Sequence, residues 1–158
     1  MLTGIRTALI IYNPLAGRRR HRRLQQLQEA AGVFKQAGIE IEIQATTGPG
    51  SATHQARAAV ASGRHLVIAC GGDGTVNEIV NGLAGSQVPM SVLPGGTANV
   101  LVKELGLSWH LLRAAEQLVQ GAMRRAERES LTNPTTGLPS GKMIEEQLRA
   151  LMRRKDWS

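Results

Sequence analysis

Short apolar runs alternate with longer stretches of helical spacing along the chain. Residues 7–12, 39–45, 65–70 and 89–93 are brief and apolar or alternating, and each is bounded by Gly, Pro or polar turn residues, so they are predicted strands. Helices fit 20–37, 51–62, 75–84, 98–106 and 110–120. In the first of these Leu24, Leu27, Ala31 and Phe34 recur at helical spacing, with Gly38 as the stop. Ile39, Ile41 and Ile43 alternate with Glu40, Glu42 and Gln44, which gives that strand one polar face and places it near a sheet edge. Strands alternating with helices imply an α/β fold, an open and mainly parallel sheet joined by right-handed crossovers. No internal repeat is evident.

Three of the predicted strands hand over to a helix through a loop of small residues. Ala8–Tyr12 runs into Asn13-Pro14-Leu15-Ala16-Gly17, Leu66–Cys70 into Gly71-Gly72-Asp73-Gly74-Thr75, and the run from Met90 into Pro94-Gly95-Gly96-Thr97-Ala98-Asn99. In an open parallel sheet such loops gather at the carboxyl edge of the strands, where ligands bind. Gly71, Gly72 and Gly74 are read as allowing positive φ angles and close approach of a ligand, and the free N–H groups of a helix start favour an anion, with phosphate the expected one. Asp73 among these glycines is either a turn residue or a group near that anion, and Thr75 is either a helix cap or a phosphate contact.

The order Asn-Pro-x-x-Gly, Gly-Gly-Asp-Gly-Thr-x-Asn-Glu, Pro-x-Gly-Thr-Ala-Asn resembles the nucleotide-binding domain of the diacylglycerol kinase and sphingosine kinase superfamily over about residues 5–123. Thr46-Thr47 with Gly50-Ser51-Ala52 is similar to that family's threonine-bearing segment after the second strand. The resemblance implies an ATP-dependent lipid kinase lobe. Gly71, Gly72, Gly74 and Thr75 would hold ATP phosphates, Asp73 would stand near the magnesium–phosphate chemistry as the catalytic position, and Asn13, Thr47, Gly95 and Thr97 would complete the nucleotide site. The acceptor would be a lipid hydroxyl of diacylglycerol or sphingoid type. NAD kinase shares Gly-Gly-Asp-Gly-Thr, but Asn13-Pro14 and the Val-Asn-Glu after Thr75 favour the lipid branch. The family also carries a second, largely β lobe supplying the lipid pocket and the acid that acts on the acceptor. The sequence does not follow that pattern after residue 121, so the chain is expected to hold nucleotide and to turn over poorly by itself.

Composition adds a division near residue 121. Gly121 is expected to end a helix, leaving a domain at 1–121, a charged helical connector at 122–131 and a tail at 132–158. The tail opens with a turn-rich break and continues as an amphipathic helix, Met143–Arg154, with Ile144, Leu148, Leu151 and Met152 on its apolar side. It resembles the opening of a GGDEF-type domain, without the signature loop. This leaves a second reading, a non-catalytic nucleotide-sensing module coupled to a GGDEF-like partner. The tail helix could also pair two copies into a homo-oligomer.

At 158 residues the chain is long enough to bury a core of about two-thirds of its unfolded surface. The net charge of +7 is spread, +4 over residues 1–123 and +3 over 124–158. Its densest cluster, Arg18, Arg19, Arg20, Arg22 and Arg23, follows the first loop. It reads either as a solvated helix face or as a surface for nucleotide or anionic membrane. Nucleic acid is excluded as a partner, because none of Tyr12, Phe34, Trp109 and Trp157 is interleaved with the arginines to stack on bases. Cys70 stands alone as a buried strand residue, and the four histidines lack metal-ligand spacing. The apolar run at the start is short and ends at Asn13-Pro14, so neither a secretory signal nor a spanning helix is read there, and the expected location is cytoplasmic, with peripheral membrane contact left open.

Overall fold

The computed structural model describes residues 5–18, 20–95 and 100–129, with side chains described as far as Gly121. Four strands, β1 (Thr7–Tyr12), β2 (Glu40–Ala45), β3 (Leu66–Gly71) and β4 (Met90–Pro94), form one sheet in the order β2-β1-β3-β4. Every pairing is parallel, with Thr7 opposite Glu40, Ala8 opposite Leu66 and Val67 opposite Met90. The expected α/β fold is therefore present, and β2, the strand with one polar face, lies at an edge of the described sheet.

Among the described residues five α-helices cover the sheet: α1 (Arg23–Gln36), α2 (Ser51–Ala61), α3 (Asp73–Leu83), α4 (Val100–Glu104) and α5 (Leu111–Glu129). Alternation along the strands divides the core in two. Ala8, Ile10, Tyr12, Ile68, Cys70 and Leu93 face α1 and α5, packing with Leu27, Ala30, Phe34 and Ala114. Leu9, Ile11, Val67, Ala69, Met90 and Val92 face the other way, onto Ala52, Ala56, Val76, Ile79, Leu83 and Val102 of α2, α3 and α4. Side chains of period two thus feed helices on both faces, and the result is three layers.

Several boundaries differ from those expected. The first helix begins as a 3-10 turn at Arg20–Arg22 and becomes α-helical only at Arg23, because no side chain caps its start and its first turn holds no acid. Its buried stripe is Arg23, Leu27, Ala30 and Phe34, while Leu24, expected inside, is 46% exposed. Helix α3 starts two residues early, at Asp73, so Gly71 ends β3, Gly72 is the N-cap and Asp73 and Gly74 already belong to the first turn. Gly121 does not end a helix. Helix α5 passes through it to Glu129, since one interior glycine costs only about 1 kcal/mol. The tail expected at 132–158, its amphipathic helix and any pairing through it lie outside the described residues, as do Arg19 and residues 96–99.

Candidate functional site

The strand order reverses between β1 and β3: from β1 the chain moves to β2 on one side, and from β3 to β4 on the other. At such a reversal the loops leaving two adjacent strands diverge and leave a crevice at the carboxyl edge. The segment after β1 stays close to β3, with the Asn13 N–H donating to the Cys70 carbonyl at 3.0 Å. Its turn is closed by Asn13 itself, whose Oδ1 accepts the Leu15 N–H at 2.9 Å.

The crevice is a cleft of about 310 Å³, lined by Asn13, Pro14 and Leu15 after β1, Thr46, Thr47, Gly48 and Pro49 after β2, and Thr75 and Glu78 from α3. Three of the expected site residues, Asn13, Thr47 and Thr75, come from different motifs and meet in this space. The loop after β2 is held from both ends. Ser51 Oγ accepts the N–H of Thr47 at 2.9 Å and of Gly48 at 3.4 Å, and the Gly50 N–H donates to Glu78 Oε1 at 2.7 Å. Thr53 Oγ1 donates to the Glu78 carbonyl at 2.8 Å, tying α2 to α3 beneath the same loop.

Glu78 was not among the expected site residues. It closes the Gly-Gly-Asp-Gly-Thr-x-Asn-Glu motif and falls three residues after Thr75, hence on the same helix face. Thr75 is almost fully buried and sits inside the first turn of α3, so it is not the cap; that position belongs to Gly72.

The glycines work differently from the expectation. None of Gly71, Gly72 and Gly74 has a positive φ; Gly72 is extended, at φ −76° and ψ −179°. A Cβ at Gly71 would lie 2.7 Å from Thr75 Oγ1, so that glycine makes room for the threonine. Among the described residues a Cβ at Gly72 or Gly74 would meet nothing within 4 Å. Gly95 is needed for packing: a Cβ there would fall 2.7 Å from both Cys70 Sγ and the Gly71 nitrogen. Thr97 lies outside the described residues.

Asp73 is half-buried, and its Oδ1 accepts the Val100 N–H at 3.1 Å, which joins the start of α3 to the start of α4. Burial pushes its carboxyl above the ordinary value of 3.8, and the Val100 hydrogen bond partly opposes this. A raised carboxyl pKa in the folded state favours folding when the group is protonated, and that contribution is lost as pH rises through the folded pKa. Asp73→Asn keeps the acceptor and removes the charge. It is therefore expected to melt at or above the parent temperature at pH 7, with the gap closing as pH falls toward 3.8, as thermal melts across that range would show. Cys70, by contrast, is no nucleophile: burial pushes its thiol up to about 12.

Fold and cleft together define a doubly wound α/β domain with a crevice at the carboxyl edge of its sheet. The chain belongs to the diacylglycerol kinase catalytic domain family, which it matches over residues 7–129. It is 41% identical over 123 residues to a diacylglycerol kinase of Bacillus subtilis, covering 76% of this chain and 40% of the relative. A diacylglycerol kinase of Staphylococcus epidermidis is 35% identical over 128 residues, covering 80% of this chain and 40% of the relative. The crystal structure of a diacylglycerol kinase from Bacillus anthracis superposes with a TM-score of 0.65 at 32% identity, covering 75% of this chain and 41% of that one. The chain thus spans about two-fifths of the length of these relatives. None of these matches extends the resemblance to a GGDEF domain. No helix among the described residues is long and apolar enough to cross a membrane.

Proposed function

We propose that residues 7–129 are the ATP-holding lobe of a lipid kinase that transfers a phosphoryl group to a lipid hydroxyl of diacylglycerol or sphingoid type. The observation that carries this reading is the meeting of Asn13, Thr47 and Thr75 in one cleft at the strand-order reversal, in a chain of this family. The nucleoside would occupy the cleft. Its phosphates would extend toward the open faces of Gly72 and Gly74 at the N-terminus of α3, where backbone N–H groups and the helix dipole favour negative charge. Magnesium fits here as a companion of the nucleotide. Among the described residues no three acidic, histidine or cysteine side chains converge on one point, whereas Mg²⁺ is commonly held by one or two carboxylates plus substrate phosphates, and Asp73 offers one. When bound, the ion would neutralise triphosphate charge. Asp73, its carboxyl already unsettled by burial, would gain from a neighbouring cation.

Calorimetry with MgATP, MgADP and NAD tests the site, the cofactor and the branch of the family together. MgATP and MgADP are expected to bind and NAD to give no heat; the reverse order would overturn the reading. In a radiolabelled transfer assay the 158 residues by themselves are expected to phosphorylate diacylglycerol slowly. Positioning of the acceptor supplies much of the acceleration in phosphoryl transfer, and the relatives devote about three-fifths of their length to residues beyond this match.

The lipid acceptor also gives the basic cluster a role. Arg18, Arg20 and Arg22 are exposed beside the first loop, as is Leu15 at 75%, and we assign this face to an anionic membrane surface. Arg23 is buried and leaves the patch. Changing the three exposed arginines to Gln is expected to release the protein from anionic vesicles at about 1 kcal/mol per charge removed, with ATP affinity nearly intact. Equal retention by both proteins in a vesicle sedimentation assay would return the cluster to a solvated helix face.

A further inference from the structure

Among the described residues Glu78 is the one carboxylate that lines the cleft, and one of its oxygens is already taken: Oε1 accepts the Gly50 N–H at 2.7 Å. Oε2 has no hydrogen-bond partner among those residues, and no basic side chain among them pairs with the group. The side chain is half-buried where α3 meets the loop after β2.

The two loops around it have no backbone donor left for an anion. The Asn13 N–H donates to the Cys70 carbonyl and that of Leu15 to Asn13 Oδ1. Across the cleft the Thr46 N–H donates to the Tyr12 carbonyl at 2.8 Å, and those of Thr47 and Gly48 to Ser51 Oγ, while Pro14 and Pro49 have no N–H to offer. No Lys, Arg or His is among the described lining residues. Anions are held by free N–H groups or by cations, and these walls supply neither. The hydroxyls of Thr46, Thr47 and Thr75 and the Asn13 amide can give or take a hydrogen bond, whereas Oε2 can only take one. Holding the loop does not account for the carboxylate. One acceptor facing Gly50 suffices for that, and a glutamine would provide it without leaving a half-buried charge uncompensated.

We propose that Glu78 is a specificity-determining residue: its Oε2 accepts a hydrogen bond from a neutral donor of the nucleoside, a ribose hydroxyl or an exocyclic amine, and its charge keeps phosphate out of the cleft. The inference rests on the reading of the cleft as the nucleoside site. A nucleotide then enters in one orientation, with its nucleoside inside and its phosphates outside.

The test is calorimetry on the parent and Glu78→Gln with MgATP, its 2′-deoxy and 3′-deoxy analogues, MgITP, which lacks the amine, adenosine and inorganic tripolyphosphate. In Glu78→Gln the single amide oxygen stays with the Gly50 N–H and the NH2 turns to the ligand. The parent is expected to bind MgATP about tenfold or more tighter than the analogue that lacks the accepted donor, the scale of a hydrogen bond to a charged group, and that analogue names the donor. Glu78→Gln should lose the same factor for MgATP, lose little for that analogue, and hold tripolyphosphate at least as tightly as the parent. Equal losses for every ligand, or no loss for MgATP, would make Glu78 a loop clamp and overturn the proposal. If Glu78→Gln does not fold, Glu78→Asp decides, because it shortens the reach by one methylene: undiminished discrimination would sink the proposal, and its loss would support it. A parent that binds adenosine in a Glu78-dependent way but gains nothing from the triphosphate would refute the kinase reading and leave Glu78 in place. MgATP binding with no Glu78-dependent discrimination would do the reverse, and a parent that binds neither adenosine nor MgATP would refute both.

Discussion

Gly72→Val is expected to leave the melting temperature unchanged and to weaken MgATP binding at least about a hundredfold, some 2.7 kcal/mol. The backbone at Gly72 is extended, a region that valine favours, and an added Cβ meets no atom of the described residues within 4 Å. The domain should therefore accept the substitution. The ligand should not, because the branched side chain would fill the open space at the N-terminus of α3, between the phosphate and the N–H groups meant to receive it. Melting curves and calorimetry on the same preparation separate the two effects. A valine variant that bound MgATP like the parent would show that the phosphates lie elsewhere.

At Gly95 the opposite outcome is expected. Gly95→Ala should cost roughly 2–3 kcal/mol of stability, the upper range for overpacking a tight interior. The new methyl would stand 2.7 Å from Cys70 Sγ, 2.7 Å from the Gly71 nitrogen and 2.8 Å from the Cys70 carbonyl carbon. Two of these three neighbours are backbone atoms of a central strand, which cannot turn aside as a flexible side chain would. Urea denaturation measures the loss. Near-parental stability would mean that the β3 and β4 exits can separate without strain.

These two glycines show where the sequence was legible and where it was not. Periodicity located all four strands to within a residue or so, because each is a short apolar run that the turn residues around it cut off cleanly. The polar face of Glu40 and Glu42 pointed to an edge position for β2, and it is at an edge. Motif order brought Asn13, Thr47 and Thr75 to one place because parallel strands send all their exit loops to the same side. The task of each glycine was not legible. Gly71 and Gly95 are set by contacts with Thr75 and Cys70 that exist only after folding, while a Cβ at Gly72 or Gly74 would meet none of the described residues.

Helical spacing failed in a similar way at the start of α1. A hydrophobicity pattern placed Leu24 inside and Arg23 with the exposed arginines, yet Arg23 is the residue that reaches the interior. Its long stem packs as an apolar chain, and its head finds a carbonyl at the end of β4, seventy-one positions away in sequence. Glu78 escaped for another reason. Its role depends on the Gly50 N–H, brought to it by the packing of α2 against α3, and nothing in its own segment announces that partner.

The strand order also sets a timetable for the protein as it leaves the ribosome. Of the four described strands β1 emerges before the others, yet it belongs between β2 and β3, and its pairing with β3 joins Ala8 to Leu66. Synthesis at about 5–20 residues per second means several seconds pass between the appearance of Tyr12 and that of Leu66. For that interval Ile10 and Ile11, fully buried in the finished protein, have at most β2 beside them. Non-local parallel pairing is slow to reward the chain that closes it. This domain is thus most exposed to aggregation before β3 is out, and a chaperone that holds the segment from β1 to α2 would have its greatest effect in that window.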